Sequence, residues 1–282
     1  MGEWLACGRP FAFSRFGDGE WMIVRNLDLD YTRKGNGEFR FCADDPRDQA
    51  ARRALIASFH FTAPGYFVGI GCPCCWGREK LLALRRVCRQ PERRLTWANL
   101  WGNANYPAVR REILPLFRRY REVYLVCHRQ ADPARLPFRV TKTFPVGVNA
   151  WTEDFALGDH IAGLAQRLRH PGVLFLFCAG PLSNILAWRG YAANPNHTYL
   201  DLGSVLDPWL FARRRLRWLD WFPGLIRSPG VTRGYLKPGR KRRQVCEWWK
   251  PTAEELASAP LDLPADVLPP ETAPQSNSPL AS

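Results

Sequence analysis

Val173-Leu174-Phe175-Leu176-Phe177-Cys178, followed at once by Ala179-Gly180-Pro181-Leu182-Ser183-Asn184, is the stretch that decides the fold. The apolar run shows no alternation, so it suits a strand buried on both faces, and it is far too short to cross a membrane. Pro181 stands in the first turn of the helix that follows, where its missing N–H costs nothing. A doubly buried strand feeding a helix is the repeating unit of a parallel α/β sheet.

The same rhythm runs outward in both directions. Apolar strands are predicted at 10–14, 66–71, 95–99, 122–127, 138–146 and 198–202. Helical spacing is predicted over 45–61, 77–90, 106–120, 154–168 and 180–193, with a small hairpin near Gly35-Asn36-Gly37. The expected architecture is a mostly parallel sheet with helices on both faces. Ligands of such sheets bind beyond the carboxyl ends of the strands, so the residues just after each strand are the candidates.

Composition narrows the class. The chain has 282 residues, 46% hydrophobic, with 12 Trp and 16 Phe, enough apolar side chain for a real core. The 40 Lys and Arg outweigh 26 Asp and Glu, for a formal charge of +14. All of the bases precede Pro251, while Glu254, Glu255, Asp262, Asp266 and Glu271 follow it. Residues 1–250 therefore read as one basic domain, with 209–250 an aromatic and basic extension of it. Residues 251–282 read as a disordered, acidic, proline-rich tail. A basic body points to anionic partners: nucleotides, nucleic acid or an anionic membrane surface. The amino-terminal residues lack a secretory pattern, which makes a cytoplasmic location the expectation and free thiols the expectation for the nine Cys.

The strongest local motif is Phe13-Ser14-Arg15-Phe16-Gly17-Asp18-Gly19-Glu20-Trp21, at the end of the first strand. Asp18 and Glu20 stand two apart, and Gly17 and Gly19 let the backbone approach a ligand. Hard carboxylate oxygens there suit Mg²⁺ or Mn²⁺ bridging a diphosphate, with Arg15 neutralising phosphate oxygens. The same residues also read as a helix start, with Asp18 as N-cap and Glu20 in the first turn. Asn103, Asn105 and Asn149 follow strand ends and suit sugar hydroxyls or helix caps. Gly180 opens a helix whose free N–H groups could face an anion. Asp201, at the end of the last strand, reads as either a buried structural acid or a ligand contact.

Other nucleotide signatures fail. Gly69-x-Gly71 lacks its third glycine, since Cys74 stands there, and no Gly-Lys-Ser/Thr phosphate loop occurs. Cys72, Cys74 and Cys75 have no second pair at zinc spacing. No Ser/His/Asp or Cys/His set is visible from sequence order.

Taken in order, the segments 13–20, 66–75, 103–107, 146–151, 180–188, 199–208 and 232–235 resemble the GT-D-type glycosyltransferases, a bacterial nucleotide-sugar family with a Rossmann-like sheet and an Asp-x-Glu motif. The resemblance covers roughly residues 10–250, and Ser14–Glu20 is its most specific part. It implies a metal-dependent transferase that moves a sugar from a nucleotide-sugar, a UDP-sugar, to an acceptor hydroxyl of a glycan or lipid-linked acceptor. Asp18 and Glu20 are then the catalytic metal pair for Mn²⁺ or Mg²⁺. Arg15, Gly17, Gly19, Asn103, Asn105, Asn149, Gly180, Asp201 and Arg233 are the implied nucleotide or substrate contacts. Asp201, Asp207 and His128 are the candidates for a general base. The basic 213–243 region would supply peripheral membrane contact. The competing reading is a non-catalytic, Arg-rich nucleic-acid-binding protein, whose affinity would fall steeply with salt.

Overall fold

The computed structural model describes residues 1–32, 39–72, 76–102, 105–211, 250–259 and 263–268. Its strands are β1 (Ala12–Arg15), β2 (Leu29–Asp30), β3 (Arg40–Phe41), β4 (Tyr66–Ile70), β5 (Leu95–Trp97), β6 (Val123–His128), β7 (Lys142–Val146), β8 (Leu174–Cys178) and β9 (Thr198–Asp201). Seven of them form one sheet in the order β5-β4-β1-β9-β8-β6-β7. Every neighbouring pair is parallel. β2 and β3 form a separate antiparallel hairpin at the expected place. The architecture is α/β and Rossmann-like.

Side-chain alternation along the strands divides the core in two. Tyr124, Val126, Phe175, Phe177 and Tyr199 face one side. There Phe175 stacks between Tyr124 and Tyr199 at centroid distances of 5.1 and 4.9 Å. The helices Pro46–His60, Arg78–Val87, Leu157–Arg167 and Leu182–Ala193 pack on that side. Val123, Leu125, Leu174, Leu176 and Leu200 face the other. Their cover is the short helix Gly2–Ala6 and the stretch from Tyr106 to Phe138.

That second layer departs from expectation. In place of one helix over 106–120, a single turn at Tyr106–Ala108 runs into a π-helix at Val109–Ile113 and a 3₁₀ stretch at Leu114–Arg119. Pro115 has no N–H to donate and its ring crowds the preceding turn, so the hydrogen-bond register shifts around it.

The tail also needs correction. Residues expected to be disordered from 251 onward include a helix, Ala253–Ser258. A capping box starts it: the Glu255 N–H donates to Thr252 Oγ1 at 3.1 Å, and the Thr252 N–H donates to Glu255 Oε2 at 2.8 Å. Glu255 pairs with Arg78, and Arg86 Nη1 donates to the Ala259 carbonyl at 2.7 Å. Further on, Val267 is fully buried and Asp266 pairs with the buried Arg52. Two acids that look merely solvating in the composition, Glu255 and Asp266, are here matched to arginines of the body. Residues 260–262 and 269–282 lie outside the described part, as does the basic 213–243 region. Among the described residues no helix is long and apolar enough to cross a membrane.

Candidate functional site

A cleft of about 1020 Å³ opens at the carboxyl ends of β1, β6, β7, β8 and β9. The chain leaves β6 towards β7 on one side and leaves β8 towards β9 on the other, so the crevice between β6 and β8 is a topological switch point. Both strand ends line the cleft, through His128 and Arg129 and through Ala179 and Gly180.

The β1 end supplies the charged wall. Arg15, Asp18, Gly19 and Glu20 all line the cleft. Gly17 is the N-cap of the helix Asp18–Val24, so Asp18 is the first helical residue and not the cap itself. The Gly17 N–H donates to Glu20 Oε2 at 2.9 Å. Glu20 is therefore buried and engaged in holding the helix start, whereas Asp18 is exposed to the cleft. The helix-start role expected of Asp18 thus falls to Glu20, while Asp18 faces the cleft. Gly17 itself sits behind this wall and is not among the residues lining the cleft.

Arg15 is held from two directions. Its Nε donates to the Ala98 carbonyl at 3.0 Å, and its backbone N–H donates to Asp201 Oδ2 at 3.1 Å. Asp201 Oδ1 accepts the Gly203 N–H at 3.1 Å. Asp201 is buried and does not line the cleft; it ties the ends of β1 and β9 together. Burial pushes its carboxyl up to about 7, opposed by Arg15 and reinforced by Glu20. Because the folded value lies above the unfolded one, its stabilising contribution is complete below about pH 4 and is lost as pH rises through 7. Asp201→Asn leaves one backbone N–H facing a donor, at a cost of about 1–3 kcal/mol. Thermal melts at pH 5 and pH 8 check this: the wild-type advantage is expected to be larger at pH 5, and an equal gap at both would reject the titration.

The remaining expected residues divide. Gly180 lines the cleft with a left-handed φ of 56°, and Gly19 lines it from the helix start. Both glycines make room for Phe39, whose ring atoms lie 3.2 and 2.5 Å from where their Cβ atoms would be. Asn149 is a correction. Its Oδ1 accepts the Arg40 N–H at 3.1 Å and its Nδ2 donates to Thr152 Oγ1 at 2.7 Å, so its polar groups are spent locally. With Trp151, which donates to the Arg40 carbonyl at 3.0 Å, it pins the hairpin that carries Tyr31 and Phe39 into the cleft wall. Asn105 is a second correction: it donates to the Leu100 carbonyl at 3.1 Å and lines a separate cavity of about 520 Å³. Asn103 and Arg233 lie outside the described residues.

Sequence reasoning missed Tyr31, Phe39 and Arg129. The first two come from a hairpin whose docking is purely tertiary. Arg129 carried a usable signal, since it follows a strand end. Of the base candidates, Asp207 is buried and lines the cleft. His128 lines it too, but its Nδ1 accepts the Gln130 N–H at 3.2 Å, which puts the proton of a neutral ring on Nε2.

Asp18 and Glu20 offer hard oxygen donors. Among the described residues no third His, Cys, Asp or Glu joins them in a cluster able to hold a metal. That set fits a Mg²⁺- or Mn²⁺-like ion that completes its shell with phosphate oxygens and water.

No protein-family model matches the chain, and no curated relative does. Two solved structures are similar to it: a selenomethionine-substituted structure of domain of unknown function 1792, and one described as "the highly conserved domain of unknown function 1792 has a distinct glycosyltransferase fold". Each aligns with a TM-score of 0.47 at 13% identity, over 72% of this chain and 76% of the other.

Proposed function

We propose that the cleft is the active site of a metal-dependent glycosyltransferase that takes a sugar from a nucleotide-sugar, a UDP-sugar, to an acceptor hydroxyl. The observation that carries this reading is the placement of Arg15, Asp18 and Glu20 on one wall of a switch-point cleft, opposite the ends of β6 and β8. Asp18 and Glu20 would hold Mn²⁺ or Mg²⁺, which supplies charge stabilisation to a leaving diphosphate. Arg15, fixed by Ala98 and Asp201, adds a positive charge that needs no reorganisation. Phe39 and Tyr31 add an aromatic edge to the cleft beside that wall. Asp207 is the carboxylate we assign to accept the proton of the attacking hydroxyl.

The test is calorimetric titration of UDP into the protein with and without Mn²⁺. Binding that requires the metal supports the reading. Equal or absent binding in both, with other nucleoside diphosphates behaving alike, removes it.

A further inference from the structure

On the helical face Arg52, Arg78, Arg85 and Arg189 each meet a carboxylate (Asp266, Glu255, Glu92 and Asp159), whereas the exposed Arg47, Arg53, Arg86 and Arg167, spread over three helices, meet none among the described residues. On the other face lie Arg118, Arg119, Arg121, Arg135 and Arg139, all exposed. Among the described residues none of these five has a carboxylate partner. The acids of that layer are spoken for or few. Glu112 pairs with Arg111, Glu122 accepts from Tyr124 and meets His170, and Asp132 caps a turn at Ala134.

The free arginines are also held in place. Arg118 Nε donates to the Pro137 carbonyl at 2.7 Å, and Arg119 Nη1 donates to the Ala6 carbonyl at 3.1 Å. Each bond uses a neutral acceptor, so the charge stays uncompensated and the remaining N–H groups stay available. Arg118 and Arg139 flank a groove of about 480 Å³ floored by Phe117, Leu136 and Phe138.

We propose that this layer, from Arg118 to Arg139, is a docking surface for an anionic phospholipid bilayer. Guanidinium groups pair bidentately with lipid phosphates, and basic residues near an anionic bilayer add attraction one by one. Nucleic acid fits less well. Phe117 and Phe138 are buried and Tyr120 is half-buried, which leaves no open ring among the described residues of this layer for bases to stack on. The local elements are π and 3₁₀ turns, too short to enter a major groove. Among the described residues the exposed large hydrophobics, Leu27, Val148 and Leu268, lie outside this layer, so the proposed attachment is by charge and not by insertion. The surface is built from residues other than 213–243, and its assignment does not depend on the reading of the cleft.

The experiment is co-sedimentation of the full chain with vesicles of phosphatidylcholine alone and of phosphatidylcholine with 30% phosphatidylglycerol. Binding is expected only to the anionic vesicles and is expected to fall steeply between 0.05 and 0.5 M salt. The fourfold variant Arg118→Gln, Arg119→Gln, Arg121→Gln, Arg139→Gln is expected to bind roughly a hundredfold more weakly. Its melting curve serves as the check that it folds, and the single variants replace it if it does not. Absent binding of the wild type overturns the proposal. So does undiminished binding of the folded variants, which would put the contact elsewhere. Preferential capture of a single-stranded oligonucleotide that anionic vesicles cannot displace overturns it in favour of nucleic acid.

Discussion

Asp18→Ala is expected to weaken Mn²⁺-dependent UDP binding roughly tenfold to hundredfold while leaving the protein folded. The size follows from losing one charge-based contact of about 1.5–3 kcal/mol, at 1.4 kcal/mol per decade. The fold is spared because Asp18 is exposed at the first helical position and makes no hydrogen bond or ion pair to the core among the described residues; an acid there contributes about 0.3–1 kcal/mol through the helix dipole. A melting temperature within about 3 °C of wild type is therefore expected. Glu20→Ala provides the contrast. It removes the acceptor of the Gly17 N–H in a buried position, so stability falls by about 1–3 kcal/mol together with binding. Calorimetric titration paired with thermal melts separates the two. If Asp18→Ala binds UDP and Mn²⁺ as the wild type does, the metal role assigned to this wall is wrong.

The second large effect is on stability and comes from Arg52. This side chain is 2% exposed, yet its hydrogen-bonding groups are engaged on several sides. Nε donates to the Ile23 carbonyl at 2.9 Å and Nη2 to the Val24 carbonyl at 2.8 Å, closing the carboxyl end of the helix that carries Asp18 and Glu20. Nη1 and Nη2 grip Asp266 of the tail. Arg52→Ala strands those acceptors and leaves a cavity, for an expected loss of about 3–5 kcal/mol. At about 2–4 °C per kcal/mol, the melting temperature should drop by roughly 10 °C. The same variant should loosen UDP binding, because the helix bearing the proposed metal ligands loses its far anchor. A thermal melt indistinguishable from wild type would refute this account.

The Arg52–Asp266 contact also predicts a pH dependence. The hydrogen bond from Arg52 holds the Asp266 carboxyl below its ordinary value. A depressed acid contributes stability above its unfolded pKa, near 4, and loses it as pH falls through the lower folded value. Asp266→Asn should therefore cost more stability at pH 6 than in strong acid, where the folded carboxyl is protonated as well. This effect is smaller than that of Arg52→Ala, because half of the Asp266 side chain is exposed to water.

Strand positions were legible because burial on both faces of a parallel sheet leaves an unbroken apolar run, as in Leu174–Cys178. Helix ends were legible where a cap marks them, as at Asp45, whose carboxylate accepts from Arg47 N–H at 2.8 Å. The sheet order was not legible. Nothing local in β9 says that it lies between β1 and β8, since that depends on which edges remain open once the other strands have paired. The tail was misread for a related reason. Composition averages over residues, whereas docking depends on a few individual partners: Glu255 with Arg78, Asp266 with Arg52, and Val267 in the core.

The site divides along the same line. The sequence alone determined that charged, glycine-flanked residues follow the first strand, because motif and strand end are contiguous in the chain. Only the tertiary structure decided how the two carboxylates share their work. Glu20 lines the cleft but also gives one oxygen to the helix cap, whereas Asp18 faces the cleft alone, because helical geometry places the third residue of the helix back over its own start. Only the tertiary structure removed Asn149 and Asn105 from the cleft and brought in Tyr31, Phe39 and Arg129. Local chemistry is written in neighbouring residues, whereas a cleft wall is assembled from segments that meet only when the core closes behind them.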